Sequence, residues 1–133
     1  MNRTEIECFV ERWLSLVCTG DLADFAQLLA ANPRDLRTGA EVGRELFRAR
    51  AEAVRSALAS LEGRVDDLVI DGERIAWRFT LSGLHRGPLF GYPATHRWIE
   101  LYGVNFQRLA GEVVVAHYTQ LDVLGALEQM RQA

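Results

Sequence analysis

Cysteine is scarce: Cys8 and Cys18 are the only two in 133 residues. Both fall on a stretch with helical periodicity, so ten positions separate them by about 15 Å along the axis. A disulfide needs Cα atoms within about 7 Å, so the pair does not bridge inside that helix. The expectation is two small hydrophobes in a reducing cytoplasm. Long apolar runs are missing too. None approaches the roughly 20 residues that cross a bilayer, and residues 1–20 carry acids where a secretory leader would be basic and then apolar. No run of basic residues forms a stripe, and a net charge of −3 offers no surface for neutralising phosphates. A cytoplasmic chain with neither a membrane nor a nucleic-acid partner is expected. Proline, at three residues, marks no linker, and no repeat or low-complexity stretch interrupts the chain.

What is present has a globular balance, with 49% hydrophobic and 25% charged residues. A chain of this length makes one domain and hides roughly two-thirds of its unfolded surface. Ile6, Phe9, Val10, Trp13, Leu14 and Val17 recur at helical spacing, with Thr4 as cap and Gly20 as stop. A second short helix starts at Asp21, carries Leu22, Phe25, Leu28 and Leu29, and ends at Asn32-Pro33, since a residue before proline leaves the α region. Residues 34–38 read as a short strand or an irregular crossing. A third helix is expected over residues 40–61, with Gly63 as its C-terminal cap. Its arginines (Arg44, Arg48, Arg50, Arg55) read as a solvated face among glutamates.

Beyond Gly63 the period drops to two. Residues 65–70 read as a strand, Asp71-Gly72 as a hairpin turn, and Ile75, Trp77, Phe79 and Leu81 alternate with Ala76, Arg78, Thr80 and Ser82. Residues 83–95 break into glycine, proline and aromatics, a long exposed connection. A long strand over 96–107 is apolar on both faces: Trp98, Tyr102, Val104 and Phe106 on one, Ile99 and Leu101 on the other. Ala110-Gly111 turns into a last strand over 113–119, and a short helix with Leu124, Leu127 and Met130 closes the chain. Helices first and hairpin-linked strands after predict an α+β fold with an antiparallel sheet. The two-faced strand predicts helices on one side and a second subunit on the other.

Residues 71–80 and 83–87, the Phe90-Gly91-Tyr92-Pro93 loop, and residues 110–118 with 121–125 together resemble the SnoaL-like polyketide cyclases of the nuclear-transport-factor-two-like superfamily. Gly20-Asp21-Leu22 and residues 43–48 also fit. The resemblance implies a single domain over 1–133, a cone-shaped curved antiparallel sheet wrapped by N-terminal helices, and a short C-terminal helix. It also implies an apolar pocket for a hydrophobic small molecule and a homodimer through the outer sheet face. The implied chemistry is acid–base catalysis of an intramolecular aldol ring closure, with no metal and no organic cofactor. Relatives on this cone isomerise ketosteroids, open epoxides, hydroxylate aromatic polyketides or only bind, so an isomerase, an epoxide hydrolase, a hydroxylase-like enzyme and a non-catalytic binding dimer remain alternatives. One departure stands out. The family often has a histidine after the aspartate that precedes the third helix, and here Asp35 is followed by Leu36.

Asp122 matches the family's acid/base aspartate. A carboxylate removes a proton beside a carbonyl only where an apolar, water-poor setting raises its basicity. The competing role is a cap on the terminal helix. His117 matches a family histidine and would polarise a carbonyl as donor or acid, or else face a subunit partner. His85, in the lip, is a second acid/base candidate or an exposed loop residue. Arg78, turned inward, would bind a carbonyl or stabilise an enolate. Trp13, Phe90, Tyr102 and Tyr118 are candidate walls for a flat ligand, or plain core. The histidines lack metal-ligand spacing, no Gly-x-Ser-x-Gly elbow exists, and no phosphate-cradling glycine loop precedes a helix.

Overall fold

A computed structural model describes residues 1–132. Helix α1 (Arg3–Cys18) opens the chain behind Asn2, which caps it through a reciprocal pair of bonds with Glu5. Thr4, the expected cap, therefore lies inside the helix, two residues past the observed one. Ile6, Phe9, Val10, Trp13 and Leu14 are buried along one face, as their spacing predicts. Asp21 caps a 3-10 turn (Leu22–Asp24) that runs into the single-turn helix α2 (Phe25–Leu28). The chain then turns extended. Strand β1 (Leu29–Asp35) starts where helix was expected, and Pro33 is accommodated because β1 lies at the sheet edge.

Helix α3 (Arg44–Ala57) stops four residues short of the expected end, and Gly63 is strand rather than cap. The ladder wins over local periodicity here: Leu58 pairs with His85, and β2 (Leu58–Asp71) runs fourteen residues against β3 (Arg74–His85). Two register shifts, between Ala59 and Glu62 and between Val65 and Asp67, bend β2 as bulges do. The long strand β4 (Trp98–Ala110) and β5 (Val113–Leu121) follow, and α4 (Val123–Arg131) ends the described chain.

The five strands form one open sheet in the order β1-β5-β4-β3-β2. Three pairings are antiparallel, as expected; the edge pair β1–β5 is parallel, so the sheet is mixed. A parallel neighbour is possible because one helix and three strands separate β1 from β5 along the chain. The inner face presents Ile75, Trp77, Phe79 and Leu81 from β3 and Ile99 and Leu101 from β4, all buried in one core with the apolar faces of the helices. The opposite face of β4 leaves Trp98, Tyr102, Val104 and Phe106 exposed.

Two of the four α3 arginines leave the solvated face assigned to them. Arg55 donates to the carbonyls of Val17 (2.8 Å), Gly20 (2.7 Å) and Leu16, at the end of α1. Arg44 donates to Leu29 (2.9 Å) and Ala30 (3.2 Å), just past α2. Helix ends leave carbonyls without intrahelical partners, and a planar guanidinium meets several at once. Both cysteines lie on α1 and are free.

Candidate active site

Between the inner sheet face and helices α1, α2 and α3 lies an open cavity of about 570 Å³. This is ordinary for a small-molecule site. Trp13, Phe25 and Phe47 come from the three helices, and Phe79 and Leu81 from β3. Gly103 is what lets Phe79 lie flat in this wall, since a Cβ there would stand 2.4 Å from the Phe79 ring. At the rim the loop after β3 makes a tight turn through Phe90 and Gly91, at φ 51° and 77°, closed by reciprocal bonds between Leu89 and Tyr92. Positive φ at both central positions is the hairpin-turn geometry glycine tolerates and phenylalanine rarely adopts. The turn holds Phe90 half out of the protein, on the cavity lining.

A polar line crosses this apolar cup. Asn105 on β4 pairs with Thr119 on β5, and Gln107 with His117. Asn105 is 4% exposed, and the part of it left open faces the cavity, where its amide can bond a ligand. His117 is 6% exposed. Its ring stacks on Trp13 at 5.5 Å and 18°, and Phe47 meets it edge-on at 5.0 Å. Gln107 Nε2 lies 3.1 Å from His117 Nδ1, and Gln107 Oε1 accepts from Trp77 Nε1 at 3.0 Å. His117 Nε2 has no partner among the described residues and is not sealed from the cavity. Burial, helped by the Arg50 charge and opposed by Asp35, pushes the imidazole pKa down to about 4. His117 is therefore neutral at physiological pH.

A smaller recess of about 200 Å³ adjoins the cavity and shares Phe47, Arg50, His117, Thr119 and Gln120 with it. Asp35 and Arg37 stand on its wall. Among the described residues, Arg50 is the only formally charged one on the main lining, and Asp35 the only carboxylate on either.

The candidates read from the sequence divide between the two faces of the sheet. Trp13, Phe90 and His117 line the cavity, and Tyr118 lines the recess. Arg78 and Tyr102 do not reach it: β3–β4 register puts both on the outer face, where Arg78 pairs with Asp67 at 4.0 Å and Tyr102 bonds to Glu100. Asp122 is exposed and caps α4, accepting from Gly125 N–H at 2.8 Å. It lines a separate outer groove of about 320 Å³ with Arg78 and Tyr102, divided from the cavity by Phe79 and Leu121. The dry setting expected for it is not there. His85 is not in an exposed lip. It is wholly buried at the end of β3, its Nδ1 takes the Thr95 N–H at 3.2 Å, and burial lowers its pKa. It holds the loop down without touching the cavity. Asn105, Gln107 and Thr119 carry no expectation from the sequence, whereas Arg50 reads there as part of a solvated face and Asp35 as the family position without its following histidine. A signal for two of them was present: Asn105 and Gln107 continue the buried alternation of Ile99 and Leu101, where polar residues need a reason.

An α+β cone holding an apolar cavity with a buried polar line is the frame of a small-molecule enzyme. The model of the SnoaL-like polyketide cyclases matches residues 7–130, and the chain belongs to that family. No curated protein matches it. Among solved structures, TsrD from Streptomyces laurentii is 26% identical, with 98% of each chain covered and a TM-score of 0.86. A candidate polyketide cyclase from Acidithiobacillus ferrooxidans is 20% identical over 100% of this chain and 99% of that one, at a TM-score of 0.82. AclR, a candidate hydroxylase from Streptomyces galilaeus, is 18% identical over 97% and 82%, also at 0.82. The last two show the shared fold. Among the described residues, no helix is long and apolar enough to cross a membrane.

Proposed function

We propose that this chain is a cofactor-independent cyclase that closes a ring on a hydrophobic polyketide by an intramolecular aldol reaction. The observation that carries the reading is the polar line of Asn105, His117 and Thr119 on a mostly apolar cavity, with His117 Nε2 free toward it. All fifteen basic residues are arginine, so no lysine side chain is there to form an iminium, and an enolate must be held by hydrogen bonds. His117 Nε2 and the Asn105 amide supply them, at a site dry enough to make them effective. Asp35, on the wall of the adjoining recess, where its Oδ1 also accepts the Arg37 N–H at 2.8 Å, takes the proton from the carbon beside the carbonyl. That carbon then bonds to the acceptor carbonyl carbon, whose oxygen recovers the proton from Asp35. Arg50 offers a charged donor to a substrate oxygen at the lining. The water held by two carboxylates that epoxide opening requires is not favoured, because Asp35 stands alone on the lining. A cytoplasmic homodimer, joined through the exposed outer face of β4, belongs to the same proposal.

The test is an anthraquinone bearing a methyl 3-oxoester side chain, followed by chromatography for a ring-closed isomer of unchanged mass. Asp35→Asn is expected to lower kcat about 100-fold, the usual loss for a missing proton-transfer group. Asp122→Asn keeps an acceptor for the α4 cap and is expected to leave kcat within about threefold. The reverse ranking would return the base role to Asp122. No isomer from the unaltered protein would overturn the cyclase reading.

A further inference from the structure

Three adjacent strands each contribute one buried polar side chain to a chain of two hydrogen bonds. Trp77 on β3 is 1% exposed, Gln107 on β4 is 0%, and His117 on β5 is 6%. An indole N–H only donates, so the Gln107 atom 3.0 Å from Trp77 Nε1 is the amide oxygen. The amide nitrogen then faces His117 Nδ1 at 3.1 Å. An NH2 group only donates, so Nδ1 meets it with a lone pair, and the ring proton sits on Nε2. Reversing either bond sets two buried donors against each other. Trp13 beneath the ring and Phe47 at its edge hold the imidazole plane, so Nε2 keeps its direction.

We infer that Trp77 and Gln107 are positioning residues that fix His117 as its Nε2–H tautomer, making it a hydrogen-bond donor to a carbonyl or enolate oxygen of the substrate and not a proton acceptor. The inference rests on the site reading above and sharpens it: the ligand must present an oxygen with a free lone pair at the cavity floor, and its proton must leave to another group. The charges that face the ring are Arg50 from α3 and Asp35 from β1. Arg50 opposes a second proton on the ring, and burial does so more strongly. The imidazole thus stays a neutral donor through the range in which an ordinary histidine titrates.

Long-range 1H–15N spectra of the full 15N-labelled chain read the tautomer without any substrate. The expected result is a pyrrole-type Nε2 and a pyridine-type Nδ1 for His117; the opposite pattern overturns the inference. Gln107→Glu replaces the donor with an acceptor that still serves Trp77. It is expected to move the proton to Nδ1 and raise the His117 titration midpoint by more than one pH unit, whereas an unchanged tautomer would remove Gln107 from the relay. Trp77→Phe frees the amide to turn and is expected to give a tautomer mixture; a single unaltered Nε2–H form there would remove Trp77. Adding 1,8-dihydroxyanthraquinone is expected to shift the Nε2 resonance, and no shift on saturating binding would defeat the donor role. In turnover of the 3-oxoester, Gln107→Glu should lower kcat about 100-fold with KM little changed, the mark of a lost transition-state donor. A relay confirmed by spectra in a chain that forms no ring would leave the relay standing and sink the cyclase reading alone.

Discussion

His117 makes folding stability depend on pH in a direction that can be worked out. Its native pKa of about 4 lies below the ordinary 6.5. Between those values the unfolded chain binds a proton that the native ring refuses, so stability falls as pH drops from 6.5 toward 4 and this contribution levels off below. The whole window is worth at most about 3.5 kcal/mol at about 1.4 kcal/mol per unit. Urea unfolding at intervals across it should show that slope, and His117→Gln should flatten it. An equal slope in the variant would assign the dependence to other groups. The same shift keeps the ring uncharged through the ordinary histidine range, so the acid limb of turnover should not show a histidine midpoint near 6.5. Asp122 shows the limit of matching residues by position: a carboxylate at the family's place is spent on Gly125 N–H at the start of α4.

Among the elements, helix ends are finished by arginines borrowed from elsewhere. The last turn of α1 carries no basic residue, and Arg55 of α3 reaches its final carbonyls instead. Arg97, just before β4, donates to Met130 O at 2.6 Å near the end of α4. Gln129 then fastens α4 to the stretch of β4 that β5 leaves unpaired, accepting from Glu100 N–H and donating to Glu100 O, both at 2.8 Å. These are contacts between elements, so their loss loosens packing and not only a helix end. Arg55→Ala should destabilise the protein by about 2–3 kcal/mol, the range for a charged donor leaving part-buried carbonyls without a partner. Arg55→Lys should recover less than half of this, because one ammonium cannot span three carbonyls. Chemical denaturation of the two variants measures both, and equal stability of Arg55→Lys and the parent would show that the fork geometry is immaterial.

At the scale of the whole molecule, the exposed outer sheet face is where the proposed homodimer would join. Trp98, Tyr102, Val104 and Phe106 line up on β4 with 39–52% of each exposed. A row of large apolar side chains on a flat sheet is the kind of patch that soluble proteins cover. Light scattering should give twice the chain mass, and the double substitution Val104→Arg with Phe106→Arg should give the monomer mass with the fold retained by circular dichroism. A monomeric parent would leave the patch without a partner copy.

The local patterns were legible because their causes are local. The buried stripe of α1, the alternation of β3 and the Asp71-Gly72 turn, with Gly72 at φ 60°, follow from spacing and backbone sterics alone. The end of α3 at Ala57 and the parallel placement of β1 were not legible, since pairing partners tens of residues away decided them. Alternation also establishes that His117 and Tyr118 point to opposite faces, and that Arg78 and Phe79 do. Which of those faces becomes the cavity depends on the side the helices cover and on the register of β5 against β4. Residue order by itself therefore determined the elements, the family and a choice between two faces. Tertiary packing made that choice, and in making it turned His117 inward and left Arg78, Tyr102 and Asp122 outside.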